Sequence, residues 1–210
     1  MVAKFTTPIG KAYYTYAFKP DTQFKEEGEF GVKLRLGGEE AIDIQKRVDD
    51  WLNASHEKAK SENPAKSIRK FDAPYKEVMN EDGTPTGELE FKIVQRAVTK
   101  TKNGPWHRKI AVFDAEGTPI TNVVRIGNGS KVRVAVQPEY WYTPALGAGL
   151  RLAFRGLQIV ELIEYNPESS DVSFEAVDGG YKHENNNDNS EGANDGSEEF
   201  FSSEENEEDF

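Results

Sequence analysis

From Asn185 to Phe210 the chain carries ten of its 37 acidic residues and none of its 26 Lys or Arg. The stretch HENNNDNSEGANDGSEE offers almost nothing apolar to bury, so ordering it would cost backbone entropy without compensation, and the sequence predicts disorder after about Tyr181. Only Phe200, Phe201 and Phe210 interrupt the polar run that follows. Folding is thereby confined to the residues before it, and so is every basic group. The formal charge of −11 divides into −10 for this stretch and −1 for everything else, and Met1 to Tyr165, with 25 Lys or Arg against 22 Asp or Glu, is a slightly basic body at +3. The expected organisation is one folded domain over 1–165, a linker over 166–184 and an acidic tail over 185–210, closed by an aromatic.

The 210 residues contain no Cys, which removes disulfides, thiolate metal sites and cysteine nucleophiles. No apolar run approaches the roughly 20 residues of a membrane helix, and MVAKFTTPIGKAYYTY lacks the apolar core of a secretion signal. The expectation is a cytoplasmic protein with no membrane partner.

The body reads as strands with one helix set among them. GKAYYTYAF (Gly10 to Phe18) and FGVKLRL (Phe30 to Leu36) are β-branched, aromatic and alternating. After Gly37-Gly38 the period changes: Ile44, Val48, Trp51 and Leu52 fall on one helical face, acids lead the first turn and Asn63-Pro64 ends it. Pro64 to Glu88 is expected to be an extended loop. Strands resume over Glu88 to Val98, Arg108 to Asp114, Ser130 to Val136 and Ala148 to Tyr165, with Gly156 marking a bend or bulge in the last. In SKVRVAV, Val132, Val134 and Val136 point one way while Lys131 and Arg133 point the other. About five principal strands around one inserted helix predict a mainly β fold that closes into a small barrel.

Catalysis has little to work with. The three His, at 56, 107 and 183, are far apart, and His56-Glu57-Lys58-Ala59-Lys60 lacks the second His of a zinc-protease helix. IGNGSK (Ile126 to Lys131) has neither the spacing nor the following helix of a phosphate loop and reads as a glycine turn. No enzyme activity, cofactor or metal is expected.

The informative stretch is KIVQRAVTKTKNGPWHRK, which holds Lys92, Arg96, Lys100, Lys102, Arg108 and Lys109 without one acid and encloses Trp106 in a turn. By itself it fits a solvated hairpin. A second cluster follows: Arg125, Lys131 and Arg133 precede PEYWYTPALGAGLRLAFR, where Tyr140, Trp141 and Tyr142 adjoin Arg151 and Arg155. Consecutive aromatics on an extended backbone alternate sides, so at least one of the three faces solvent. Cations that follow a phosphate backbone, joined to flat rings that stack on bases, are what an unpaired nucleic-acid strand requires. The helix, rich in Asp and Glu, does not suit a major groove.

In IGNGSKVRVAVQPEYWYTPALGAGLRLAFRGLQIVEL (Ile126 to Leu162) the glycine turn, basic strand, P-x-x-W and small-residue step before a long strand resemble the T7-like phage single-stranded DNA-binding proteins. PIGKAYYTYAFKPD and the acidic terminus ending in Phe210 are similar to theirs too. The chain departs from that pattern in an extra residue near Thr143-Pro144 and in Glu139, where a Tyr is expected. The resemblance implies an OB-fold five-stranded β-barrel that coats single-stranded DNA in replication, recombination and repair. Lys92 through Lys109, Arg133 and the Tyr140-Trp141-Tyr142 loop would line its groove. It further implies a possible homodimer and a tail whose Glu207, Glu208, Asp209 and Phe210 engage replication proteins such as the polymerase and the primase-helicase. Tethered beside a basic groove, the tail's carboxylates would also compete weakly with DNA phosphates. The residues alone leave two other readings open, an RNA-binding or nucleic-acid chaperone barrel and a tail-based interaction scaffold.

Overall fold

A computed structural model describes residues 4–102 and 104–165; the expected linker and acidic tail, including Glu207, Glu208, Asp209 and Phe210, lie outside the described residues. The body is built on period-two burial. Along β3 (Glu29–Gly37), Phe30, Val32, Leu34 and Leu36 are buried while Gly31, Lys33 and Arg35 form the outer face. β9 (Lys131–Thr143) alternates likewise up to Pro138, whereas β2 (Gly10–Asp21) and β5 (Pro85–Arg96) do so only in part and β10 (Gly147–Glu161) is buried on both faces; the inner residues, among them Phe91, Ile93, Val132, Val134, Val136, Leu152 and Phe154, make one core.

Pairing closes these five strands into a ring. β2 pairs with β3, β3 with β5, β5 with β10, β10 with β9 and β9 again with β2. The β5–β10 pair is parallel and the other four are antiparallel, the signature of an OB barrel. Gly10 permits the β2 closure, since a Cβ there would lie 2.7 Å from the Arg35 carbonyl oxygen. The helix α1 (Gly38–Glu62) is inserted between β3 and β5. It buries Ala41, Ile44, Val48, Leu52, Ser55 and Ala59 against the barrel, a stripe at three- and four-residue spacing. Trp51 is half-buried and packs on Phe5, with ring centroids 5.2 Å apart.

Five short elements complete the description, beginning with β1 (Phe5–Thr6) on β9, β4 (Tyr75–Met79) on β5, and the two-stranded β6 (Val98–Thr101) and β7 (Gly104–His107). β8 (Ala111–Phe113) then runs parallel to β10. The bulge expected at Gly156 is present as a register shift between Phe154 and Gly156. Three expectations need correction. The Pro64 to Glu88 stretch contains β4, hidden from the sequence because YKEVM buries only Val78 fully and shows no alternation. Arg108 to Asp114 is strand only over its last part, Ala111–Phe113. The strand expected to stop at Val136 runs on to Thr143. Pro138 has no N–H to give a ladder and so reads as a strand end, yet its residue is buried opposite Leu152 and the strand passes through it.

Candidate nucleic-acid interface

The ring of strands places cations from distant segments side by side on the outer surface. Lys33 on β3 is the register partner of Lys92 on β5. Ile93 pairs with Leu152, so one step back along the same register Arg151 lies beside Lys92, and Arg151 in turn opposes Glu139 on β9. The next rung is small: Gly31 opposite Val94, Val94 opposite Ala153, Ala153 opposite Gln137. Beyond it on β5 stands Arg96, opposite Glu29. Gly31 and Val94 floor a channel here, with Lys33 and Lys92 on one side and Asp21 and Glu29 also in its lining, while Ala153 is fully buried. Neither Lys92 nor Arg96 has a carboxylate within ion-pair distance among the described residues, and both are exposed. These are charges available to a phosphate.

Rings border the β2 end of this channel. The β2–β3 register breaks between Tyr13 and Tyr16, and within the break Tyr14 adopts the left-handed backbone, φ 50°. Its N–H donates to Asn128 Oδ1 at 2.9 Å, so the glycine turn read from IGNGSK fixes the bulge. The bulge turns Tyr14, 57% exposed, and Tyr16, 40% exposed, to solvent on a strand that would otherwise alternate. Lys33 Nζ lies 4.4 Å from the Tyr14 ring centroid. Phe24, on the β2–β3 loop and 84% exposed, joins Tyr14, Tyr16, Lys33, Lys92 and Val94 around a groove of about 350 Å³. On the other flank of the two tyrosines a cleft of about 600 Å³ is lined by Arg125, Asn128 and Tyr165.

The sequence-derived candidates divide accordingly. Lys92, Arg96 and Arg151 share the outer face of the channel, and Arg125 reaches Tyr14 and Tyr16 from the far flank. Tyr140, Trp141 and Tyr142 lie on β9, paired to Leu150, Gly149 and Ala148, and not in a loop; the alternation holds, however. Tyr140 packs on the main core and Tyr142 on Ala59, Ile68 and Ala148, each staying partly buried. Trp141 alone is on the outer side, across Gly149 and edge-on to Phe71 at a centroid distance of 5.0 Å.

The β6–β7 hairpin carries Lys100, Lys102 and Trp106, with Arg108 just past it. The Arg108 guanidinium lies 4.3 Å from the exposed Trp106 ring, while Lys100 pairs with Glu27 at 3.0 Å. Lys109 is exposed in the connection to β8. Lys131 and Arg133 are exposed on β9, away from the groove. Lys131 is paired to Glu161 at 2.9 Å, and Arg133 opposes Gln158 in a cleft with Thr6 and Phe113. Six residues along β9 separate Arg133 from Glu139, about 20 Å at 3.3 Å per residue. The groove also brings in Tyr14, Tyr16, Phe24 and Lys33, which the sequence reading did not single out. A usable signal existed in the adjacent Tyr13-Tyr14 of GKAYYTYAF, which cannot both point inward.

Besides Asp21 and Glu29 in the groove lining, two acids are held by the cations of this surface. Glu90, 4% exposed, receives Arg35 Nε at 2.9 Å and lies 3.4 Å from Lys76 Nζ and 3.9 Å from Lys33 Nζ. Burial favours its neutral form, but the Arg35 hydrogen bond and the Lys76 and Lys33 charges outweigh this and hold its carboxyl below the usual range. Glu139 receives both Arg151 and Arg155, the latter at 2.6 Å. Arg108 belongs to the same electrostatic neighbourhood. Burial, then repulsion from Arg155 and Arg151, lowers its pKa against the pull of Glu139, and it stays cationic at neutral pH. Among the described residues no group of three or more His, Asp or Glu is placed to hold a metal ion.

A closed five-stranded ring, an inserted helix, and a cationic channel edged by exposed rings define an OB-fold protein of the single-strand-binding class. Comparison with known proteins gives the family. The model for "Single-stranded DNA-binding protein, Bacteriophage T7" matches residues 9–162, and the chain belongs to that family. It is 31% identical over 205 residues to the single-stranded DNA-binding protein of Enterobacteria phage T3 and 28% identical over 199 residues to that of Escherichia phage T7, covering 84% of each chain in both cases. Among solved structures, gp2.5, a single-stranded DNA binding protein encoded by bacteriophage T7, superposes with a TM-score of 0.66 at 24% identity, over 88% of this chain and all of that one. The single-stranded DNA-binding protein from bacteriophage Enc34 in complex with ssDNA superposes with a TM-score of 0.56 at 12% identity, over 77% of this chain and 88% of that one.

Proposed function

We propose that this protein binds single-stranded DNA across the outer face of β3, β5 and β10, without enzymatic activity and with slight sequence preference. The observation that carries the reading is the row Lys33, Lys92 and Arg151 beside a channel of small residues, with Tyr14, Tyr16 and Phe24 at one end and Trp141 on the neighbouring strand. Phosphates pair with the cations and release counterions, while bases stack on the rings at about 1–3 kcal/mol each. Stacking and charge do not discriminate among bases, hence the broad preference.

In this reading the protein coats single strands in phage replication, recombination and repair in the host cytoplasm. The body over 1–165 holds the strand, residues 166–184 serve as a linker, and the ten carboxylates of 185–210 compete with DNA phosphates at low salt. When DNA displaces them, the acids and Phe210 engage replication proteins with basic, apolar-pocketed surfaces, such as a polymerase or a primase-helicase. Assembly as a homodimer is part of the same proposal.

Titration of the three Trp residues' fluorescence with oligo-dT across salt tests the central claim. The expected result is saturable quenching with a log–log salt slope of about −0.7 per phosphate contacted. Absence of binding at low salt, or equal competition by duplex, would refute it; preferential competition by RNA would move the assignment to an RNA partner. Removing 185–210 should raise low-salt affinity and abolish capture of the polymerase.

A further inference from the structure

We propose that the Arg151–Arg155 pair is a phosphodiester subsite and that Glu139 occupies it in the DNA-free protein, setting the strength of strand binding. The inference rests on the single-strand-binding reading above and deepens it. Two guanidiniums converge on one carboxylate. Glu139 Oε2 accepts from Arg151, whose Nε lies at 3.1 Å, and Glu139 Oε1 accepts from Arg155 Nη2 at 2.6 Å. Two cations each addressing a different oxygen of one anion is also the arrangement that suits the two non-bridging oxygens of a phosphodiester.

Arg155 does not depend on Glu139 for its position. Its Nε donates to Gln137 Oε1 and its Nη1 to Gln95 Oε1, each at 3.0 Å, so two neutral amides hold the guanidinium whether or not the carboxylate stays. Arg151 stands beside Lys92, which has no carboxylate partner among the described residues, so the subsite continues the cationic row of the channel.

Comparison with Glu90 shows why Glu139 is the acid that leaves. Glu90 is 4% exposed with three cations around it, and withdrawing it would strand a buried charge or three unpaired ones. The Glu139 side chain is 28% exposed, and those of Arg151 and Arg155 are 32% and 20% exposed. Glu139 can therefore rotate into water, where hydration replaces most of what it gives up. An entering phosphate takes over both guanidiniums, which lose no charge pairing in the exchange. Strand binding thus becomes a substitution of one anion for another at this point, weaker than binding to a bare pair of arginines.

The test uses the full chain with Glu139→Gln, and Glu139→Ala as a second variant that leaves no amide to pair, against oligo-dT. Both should bind tighter than the parent, with a salt slope steeper by about 0.7, so that the gain grows about 2.6-fold between about 200 and about 50 mM salt. In an Arg151→Gln/Arg155→Gln background the same Glu139 substitutions should give no gain. Equal or weaker binding by both Glu139 variants, with an unchanged slope, overturns the proposal. So does a gain that persists without the two arginines, since it would then be a general effect of removing one negative charge. Should the parent chain fail to bind oligo-dT at low salt, the strand-binding reading itself falls, an outcome distinct from a parent that binds and a variant that does not differ.

Discussion

Trp141 keeps its place because the residue facing it on β10 is Gly149. A Cβ added at Gly149 would lie 2.5 Å from Trp141 Cε2 and 2.9 Å from Cη2, where ordinary contact begins at 3.4 Å. Gly149→Ala therefore forces the indole to retreat by roughly 1 Å, and Phe71, edge-on with its centroid 5.0 Å away, stands against part of that retreat. The backbone at Gly149 lies outside the left-handed region, so the substitution brings no conformational strain of its own. Overpacking costs about 1–3 kcal/mol and the disturbed ring pair about 0.5–1.5 kcal/mol, against about 0.4–1 kcal/mol regained from the stiffer unfolded chain. The net loss is about 0.5–4 kcal/mol, which lowers the melting midpoint by roughly 1–16 °C for a domain of this size. Thermal unfolding followed by near-ultraviolet circular dichroism reads the midpoint, and tryptophan emission, shifted to the red as the indole gains water, reads the displacement. A midpoint within about 1 °C of the parent together with unchanged emission would show that Trp141 does not lie on Gly149, and the assignment of the one outward ring of Tyr140-Trp141-Tyr142 would fail with it.

Other perturbations address the channel and its acids. Lys92→Ala should make the oligo-dT salt slope shallower by about 0.7, whereas Lys131→Ala, eight residues along β9 from Glu139 and so roughly 26 Å from it, should leave it unchanged; equal effects would contradict the placement of the channel. Tyr16→Ala should weaken binding by about 1–3 kcal/mol for oligo-dT and oligo-dA alike, and Asn128→Ala, which frees the Tyr14 bulge without touching a ring, should produce a smaller loss in the same titration. Glu90→Gln should destabilise the fold at neutral pH by about 1–3 kcal/mol, read by urea unfolding. Because the Glu90 pKa is depressed in the folded state, its contribution is fully present above the ordinary value of 4.5 and is lost as pH falls through the lower folded value. The difference between parent and variant should accordingly be constant near neutrality and shrink on acidification below that value. A difference independent of pH would show that Glu90 acts through packing alone.

Periodicity was sufficient for the helix over Gly38–Glu62, the bulge at Gly156, and the inner faces of the long strands, because each is a local consequence of which residues can be buried at a period of 3.6 or 2. Local sequence also isolated the acidic segment from Asn185 to Phe210 and the cations from Lys92 to Arg151, since charge and apolar content are properties of composition. It did not reveal β4, whose pairing is imposed by β5, nor the passage of β9 through Pro138, where burial against Leu152 outweighs a missing donor. Above all it could not order the cations around the barrel. Lys33 and Lys92 are 59 residues apart and become neighbours only through the β3–β5 register, whereas Arg133 and Arg151, closer in the chain, end about 20 Å apart along β9. The same closure put Glu139 between two arginines and left Tyr14 and Tyr16 facing outward. Residue chemistry named the kind of ligand, and strand register, which depends on contacts between distant segments, decided which side chains can meet it.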